Sequence, residues 1–455
     1  MSPIRMPYPM PIDRLWAEVE SGMVENVIVA VPDLQGRLQG SRLDPDHFRD
    51  HVLKHGFEAC VYLLAVDVEM NTGPGYAVDA AAAGFGDMLL VPDLGTLRLL
   101  PWDPGTALVL ADACQPGGEP VRVAPRQLLR AQLDRLAARG MTALAGTELE
   151  FVLFNESFQH ARDADYRNLT PATRYNVDYS VAGLADVDPV VRRIRNAMRE
   201  TGMRLESARG ECHPGQYEIV FRYDDALRTC DNHAVYKTGA RQLAVTEGMA
   251  LTFMAKYDAG EGNSCHVHLS LRSADGAPVF AGEDGDMSTF LEHFVAGQLA
   301  CMSEFALLSL PNVNSYKRLA PAAFAPTAIA WGRDNRTCPV RVVGRGESMR
   351  IEYRVPGGDA NPYLAVASIL AAGLHGVENS VPLPAPYAGN AFTSGLPRLP
   401  ETLAEAVQLW EASDVARGAF GADVVQHYAA AARAELAAYH SEVTDWERRR
   451  GFERL

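Results

Sequence analysis

The decapeptide GNSCHVHLSL, residues 262–271, leaves this chain few choices of fold. Read at the two-residue period of a strand, it sets His266, His268 and Ser270 on one face and Val267, Leu269 and Leu271 on the other. Such a strand needs a sheet with one face packed on a core and the other free for chemistry.

Three more segments divide in the same way. In TELEFVLF (147–154) Glu148 and Glu150 oppose Leu149, Phe151 and Leu153; in GQYEIVFRY (215–223) Gln216, Glu218 and Arg222 oppose Tyr217, Ile219 and Phe221. MRIEYRV (349–355) sets Arg350, Glu352 and Arg354 against Ile351, Tyr353 and Val355. Any one of these also reads as a half-buried strand facing water. Solvated strands usually carry Thr, Ser and Lys, however, whereas acids, imidazoles and guanidiniums gathered on one sheet suit cations and phosphates held together.

Composition excludes some partners. The 57 acidic and 42 basic residues give a net charge of -15, which repels nucleic acid and anionic lipid, and no basic patch overrides it. Seven scattered cysteines without CxxC spacing indicate neither a disulfide framework nor a cysteine zinc site, which fits a reducing cytoplasm. Prolines interrupt MSPIRMPYPMPIDRLW where a signal peptide needs an apolar run, and no stretch reaches the roughly 18 apolar residues of a membrane span. A cytoplasmic protein with no nucleic-acid or membrane partner is expected.

The pattern predicts an α+β protein in two parts. Residues 1–112 read as a small strand-rich unit with a helix over 12–21, a hairpin over 26–43, a helix over 46–55 and a strand over 60–70. Short strands follow, cut by Pro92, Pro101 and the turn at Pro104 and Gly105. Residues 113–455 open with a helix over 125–139 closed by Gly140, and then alternate polar-faced strands with helices over 190–201, 230–247, 287–308, 361–379 and 403–439. The Pro- and Gly-rich stretch 382–400 reads as loop.

Glu148, Glu150, Glu211, Glu218, His266 and Glu352 have the makings of two divalent-metal sites. Oxygen-rich sets with one imidazole suit Mg²⁺ or Mn²⁺, and five clustered carboxylates would repel one another without cations. Arg318, Arg333, Arg336, Arg341, Arg350 and Arg354 form a second constellation, whose planar forks bind phosphate or carboxylate in pairs of hydrogen bonds.

These residues sit in TELEFVLF, ECHPGQYEI, HVHLSL, NSYKRLAP, DNRTCPVR, RIEYRVP and NPYL, and the seven motifs in this order resemble the glutamine synthetase family over residues 26–376. The resemblance implies an N-terminal β-grasp domain and a catalytic domain with a curved antiparallel sheet, which ATP enters at one end and glutamate at the other. It implies one metal on Glu150, Glu211 and Glu218 and a second on Glu148, His266 and Glu352, hence two or more Mg²⁺ or Mn²⁺ per site. By the same likeness Glu206, His268, Ser270, Arg336, Arg341 and Arg350 would bind ATP. Gly262, His266, Arg318, Phe324 and Arg354 would surround the glutamate and the amine. Arg318, Arg336 and Arg354 would act in catalysis, with Asp67 reaching across to a neighbouring subunit's site, so a homo-oligomer of two stacked hexameric rings is implied.

The sequence departs from the family at the amine. The loop after NSYKRL usually carries a glutamate that helps bind ammonium and shed its proton; here it reads PAAFAP (321–326), with Phe324 at that position. Glu261 and Gly262 stand where the family usually has Asn-Gly. An aromatic ring accepts no proton. The expected reaction is therefore ATP-dependent γ-glutamylation of an organic primary amine, of the ethanolamine or polyamine class, through a γ-glutamyl phosphate. Ordinary glutamine synthesis with an unusual flap, a silent structural or regulatory member, and a guanidino kinase are the alternatives.

Overall fold

All four polar-faced segments enter one sheet. The computed structural model describes residues 8–78, 80, 84–320 and 324–455. Six strands make a first sheet: β1 (Asn26–Pro32), β2 (Leu38–Leu43), β3 (Phe57–Cys60), β4 (Asp87–Pro92), β5 (Arg98–Leu99) and β6 (Thr106–Cys114). Their order is β2-β1-β6-β4-β3, with β5 on β6, and β1 runs parallel to β6 at the centre. This order is consistent with the β-grasp expectation. The predicted hairpin forms because Asp33 ties its own turn: Oδ1 accepts the N–H groups of Gln35 at 3.0 Å and Arg37 at 2.8 Å.

The second sheet contains β7 (Met141–Phe154), β8 (Leu205–Gly210), β9 (Gln216–Phe221), β10 (Asp224–Asp225), β11 (Ala250–Thr252), β12 (Cys265–Ser273), β13 (Trp331–Arg333), β14 (Val340–Val343) and β15 (Arg350–Tyr353). Its order is β13-β14-β15-β12-β7-β9-β8, with β10 and β11 also on β7. The pairing is antiparallel as expected, except that β13 and β14 run parallel.

The apolar faces of these strands pack on two cores. Val267, Leu269, Leu271, Ile351 and Tyr353 share one with the helix Pro362–Glu378; Leu149, Phe151, Tyr217 and Ile219 share the other with residues of the helices Asp188–Glu200 and Ala226–Thr246. Each large apolar side chain buried in this way contributes about 1.5–3 kcal/mol. Helix Pro362–Glu378 lies close on helix Thr289–Cys301 because glycines meet there: a Cβ on Gly376 would stand 2.1 Å from the His293 carbonyl oxygen.

Buried Arg126 joins the two parts of the chain. Its Nε donates to Asp231 Oδ1 at 2.9 Å, Nη1 to Asp112 Oδ1 at 2.5 Å and Nη2 to Asp93 Oδ2 at 2.7 Å. Removing one partner from such a buried set would leave an uncompensated charge. Asn361 adds a neutral link, its Nδ2 donating to the carbonyls of Asp33 and Leu34.

Some boundaries differ from expectation. The strand expected over 60–70 stops at Cys60 and gives way to a 3-10 turn, Val61–Leu64. The apolar run there is continuous instead of alternating, and Val61, Leu64 and Ala65 face the core at the spacing of a helical turn. The single helix expected over 403–439 is three, Leu403–Ala412, Asp414–Phe420 and Ala422–Ser441. Ser413 starts the second by accepting the Ala416 N–H at 2.9 Å, and Gly421, at φ 94°, separates the second from the third. The stretch 287–308 likewise divides into Thr289–Cys301 and Ala306–Ser309. Residues 46–55 are helical with a π-turn at Phe48–Val52, and β6 continues past 112 to Cys114. Among the described residues no helix is long and apolar enough to cross a membrane.

Candidate active site

Strand register assembles the site. His266 pairs with Glu148 across β12 and β7, His268 with Glu352 across β12 and β15, Glu150 with Glu218 across β7 and β9, and Arg341 with Glu352 across β14 and β15. Side chains directly opposite on one face lie about 5 Å apart at Cβ, so pairing alone brings acids, imidazoles and guanidiniums into one cluster.

Ligand oxygens of Glu150, Glu211 and Glu218 lie within 4.8 Å of one another. Glu150 is held by the Ser264 N–H at 2.6 Å and by Gln216 Nε2 at 3.2 Å, both onto Oε2. Burial, and then the charge of Glu150, push Glu211 up to about 7. Burial, and then Glu148 and Glu150, raise Glu218 well above the usual carboxylate range. Without metal, Arg209 on β8 supplies the positive charge: its Nε donates to Glu211 Oε1 at 3.0 Å, and Nη2 ion-pairs with Glu218. A divalent cation fits this all-oxygen donor set.

The second group gathers Glu148, Glu352 and both histidines. Ligand atoms of Glu148, His268 and Glu352 lie within 4.8 Å of one another. His266 Nδ1 stands 3.6 Å from Glu148 Oε2 and 3.7 Å from Glu352 Oε1. The resemblance set His266 in this group and turned His268 toward the nucleotide; the geometry puts both rings beside Glu148, with His268 Nε2 at 3.2 Å. Burial raises the Glu148 carboxyl, but hydrogen bonds and charge from the two imidazoles outweigh it and hold the group below the usual range. Glu352 settles at about 2, since His266 and Arg354 outweigh its burial.

The arginines separate into those at the cluster and those away from it. Arg341 Nη1 donates to Glu352 Oε2 at 2.6 Å, and Arg354 Nη1 donates to Glu352 Oε1. Arg354 Nε is buried without a hydrogen-bond partner, a donor left over for a ligand oxygen. Arg318 is 2% exposed and lies beside the cluster, donating to the Val355 carbonyl at 2.8 Å and to Ser264 Oγ at 2.9 Å. Arg336 is exposed, and Arg333 ion-pairs with Asp286 at the surface.

Beside the second group opens a cavity of about 430 Å³, lined by Glu148, Glu206, His268, Ser270, Arg350 and Tyr223 among others. Four of the six residues expected to bind ATP therefore share one cavity; Arg341 stands at Glu352 and Arg336 outside it. Arg350 Nε lies 3.3 Å from His268 Nδ1.

At the other end, Gly262 lies against Arg318: a Cβ added to it would meet the Ala255 carbonyl oxygen at 2.3 Å and Arg318 Cγ at 3.0 Å. Phe324 is 62% exposed, and its N–H donates to Glu261 Oε2 at 3.3 Å. Residues 321–323 of the flap lie outside the described residues. Asp67 has its hydrogen bonds inside its own loop, Oδ1 accepting from the N–H groups of Glu69 at 3.0 Å and Asn71 at 2.8 Å.

Sequence reasoning passed over Arg209, Ser264 and the role of Gln216, whose Nε2 also donates to the Gly262 carbonyl at 3.0 Å and to Asn263 Oδ1 at 2.9 Å. Gln216 was visible as a polar residue on the Glu218 face. Arg209 carries no such signal, because β8 shifts register between Leu205 and Ser207 and breaks the period of two.

Comparison with known proteins follows the same lines. The profile described as the catalytic domain of glutamine synthetase matches residues 122–451. The gamma-glutamylethanolamide synthetase GlnA4 of Streptomyces coelicolor is 57% identical, covering 98% of this chain and 96% of its own. A glutamate–isopropylamine ligase of Pseudomonas sp. is 35% identical over 94% of this chain and 95% of its own. Among solved structures, GmaS in complex with ADP superposes with a TM-score of 0.84 at 30% identity, covering 96% of this chain and 99% of that one.

Proposed function

We infer the reaction from the family: this chain belongs to the glutamine synthetase family, and its site differs from the family's pattern where the amine enters. It is an ATP-dependent ligase that joins the γ-carboxyl group of glutamate to a primary amine. The physiological amine is a short one with a neutral tail, of the ethanolamine class. Phe324 at the flap carries this reading, and the relatives that make γ-glutamylethanolamide and use isopropylamine support it.

A carboxylate is a poor electrophile, so the γ-carboxylate must first take the ATP γ-phosphoryl group and become an acyl phosphate. Arg354 and Arg341 bring guanidiniums to Glu352, where negative charge accumulates during transfer. Arg318 holds the glutamate end, and Glu206, Ser270 and Arg350 hold the nucleotide. Two Mg²⁺ or Mn²⁺ ions, one on Glu150, Glu211 and Glu218 and one on Glu148, Glu352 and the histidines, would offset the remaining anionic charge. The family likeness supports a homo-oligomer of two stacked hexameric rings, in which the loop of Asp67 would be offered to a neighbouring subunit's site.

An exposed aromatic ring favours carbon over a small hydrated ion. Each buried methylene of an organic amine gains ~0.8 kcal/mol, while ammonium gains from the ring a cation–π contact of ~0.5–2 kcal/mol. The amine keeps that contact and adds two methylenes. The test compares kcat/KM for ethanolamine, methylamine, putrescine, spermine and ammonium in phosphate release with ATP and glutamate. Ethanolamine should lead, and ammonium as the best nucleophile would return the enzyme to ordinary glutamine synthesis.

A further inference from the structure

We propose that Glu261 is the carboxylate that receives the amine, binding its ammonium group and taking its first proton. This rests on the amine-ligase reading above and adds the group which that reading lacks. Glu261 Oε2 accepts the N–H of Phe324 at 3.3 Å, so an acid meets the flap at the residue where the family's own acid would stand. The carboxylate has moved from the flap to the strand entry that faces it.

The adjoining backbone fixes where this acid sits. The carbonyl of Gly262 accepts Gln216 Nε2 at 3.0 Å, and the same amide reaches Glu150 Oε2 at 3.2 Å. Arg318 packs so close to Gly262 that a Cβ there would lie 3.0 Å from its Cγ. Glu261 is thus one residue from a point joined to the glutamate-side carboxylates and to Arg318. It is half-buried, and among the described residues no lysine or arginine ion-pairs with it. A half-buried carboxylate without a cation, held by the backbone of the flap's aromatic residue, suits an alkylammonium group. Asp67, whose carboxylate accepts from Glu69 and Asn71 within its own loop, with Oδ2 accepting Asn71 Nδ2 at 3.0 Å, would complete the amine's surroundings from a neighbouring subunit without taking the first proton.

In the step, R–NH₃⁺ gives one proton to the Glu261 carboxylate. The freed nitrogen lone pair attacks the γ-carbonyl carbon of γ-glutamyl phosphate, and the C–N bond forms. The C–O bond to the phosphoryl group then breaks, its electron pair leaving with inorganic phosphate, which also takes the second nitrogen proton.

The test uses two nucleophiles on the full-length enzyme. Hydroxylamine is uncharged at neutral pH and needs no base to free its lone pair, its one lost proton leaving with phosphate, whereas ethanolamine arrives as an ammonium ion. In Glu261→Gln, the ratio of hydroxylamine to ethanolamine kcat/KM should rise at least about 100-fold, the scale of a lost general base, and Glu261→Asp should recover part of the loss. Hydroxamate formation also reports that the variant is folded and still makes the acyl phosphate. An unchanged ratio overturns the proposal, whether both nucleophiles fall together or neither falls. The amine-ligase reading is judged separately, by the parent enzyme's preference among amines.

Discussion

Arg209 Nε donates to Glu211 Oε1 at 3.0 Å, so a guanidinium rests on the carboxylate cluster of Glu150, Glu211 and Glu218. The same side chain ion-pairs with Glu218, which faces it across the β8–β9 pairing. Arg209 therefore supplies, in the metal-free protein, part of the positive charge that a divalent ion would bring. Arg209→Ala should cost about 2 kcal/mol in excess chelator, the scale of hydrogen bonds to charged groups, and much less in saturating Mn²⁺. Thermal unfolding of both proteins with and without metal checks this; an equal loss in both conditions refutes it.

The cluster also predicts a strict metal requirement. Glu150 is anchored by the Ser264 N–H and Gln216, an arrangement that fixes the carboxylate in place. Excess chelator should abolish turnover, and Glu150→Ala should abolish it even in saturating metal while the melting temperature with metal-free buffer stays close to the parent's. Removing one of several mutually repelling carboxylates relieves strain instead of opening a core cavity. Turnover near the parent rate in either experiment would dismiss the assignment.

The chemistry of this site was legible in the sequence because period-two alternation is a direct consequence of strand geometry. His266, Glu148, Glu150, Glu218 and Glu352 meet because register makes opposite residues neighbours. Arg209 escaped because a bulge in β8 removes the alternation, and the histidine nearer to Glu148 could not be chosen, since His266 and His268 share a face. The helix breaks at Ser413 and Gly421 were missed for a different reason: one serine and one glycine inside an apolar-periodic run are weak signals until side-chain capping and backbone conformation are seen. Phe324 was legible as a substitution, but its partner Glu261 lies 63 residues away in sequence.

Asp67 predicts shared sites. Its carboxylate is satisfied within residues 67–71, and the cavity it lines with Asn312, Asp359 and Glu435 is separate from the cluster. If each site draws Asp67 from a neighbour, Asp67→Asn and Arg354→Ala subunits are inactive alone. Reassembled together at equal amounts, they should recover activity at roughly a quarter of the sites, as random placement at a head-to-tail interface requires. Recovery no greater than the two separate residual activities would rule out the shared site.

His427 predicts a loss of stability in mild acid. It is fully buried on the helix Ala422–Ser441, with Nε2 2.7 Å from the Leu64 carbonyl oxygen, so this nitrogen carries the proton and donates. Nδ1 is buried without a partner, which leaves nothing to stabilise a second proton. Burial lowers the pKa from 6.5 to about 4, with the hydrogen bond to Leu64 only partly opposing it. Between these two values the unfolded chain binds a proton that the folded chain refuses, so this group's contribution is complete above about 6.5 and falls away as pH drops toward 4. The loss from this one group is about 3 kcal/mol at most. His427→Phe keeps a ring against Tyr76 but removes both the titration and the donor. It should be less stable than the parent at pH 7, by about 1–3 kcal/mol for the orphaned Leu64 carbonyl, yet lose less on acidification to pH 5. Parallel stability curves for the two proteins across that range would show that another group carries the acid sensitivity.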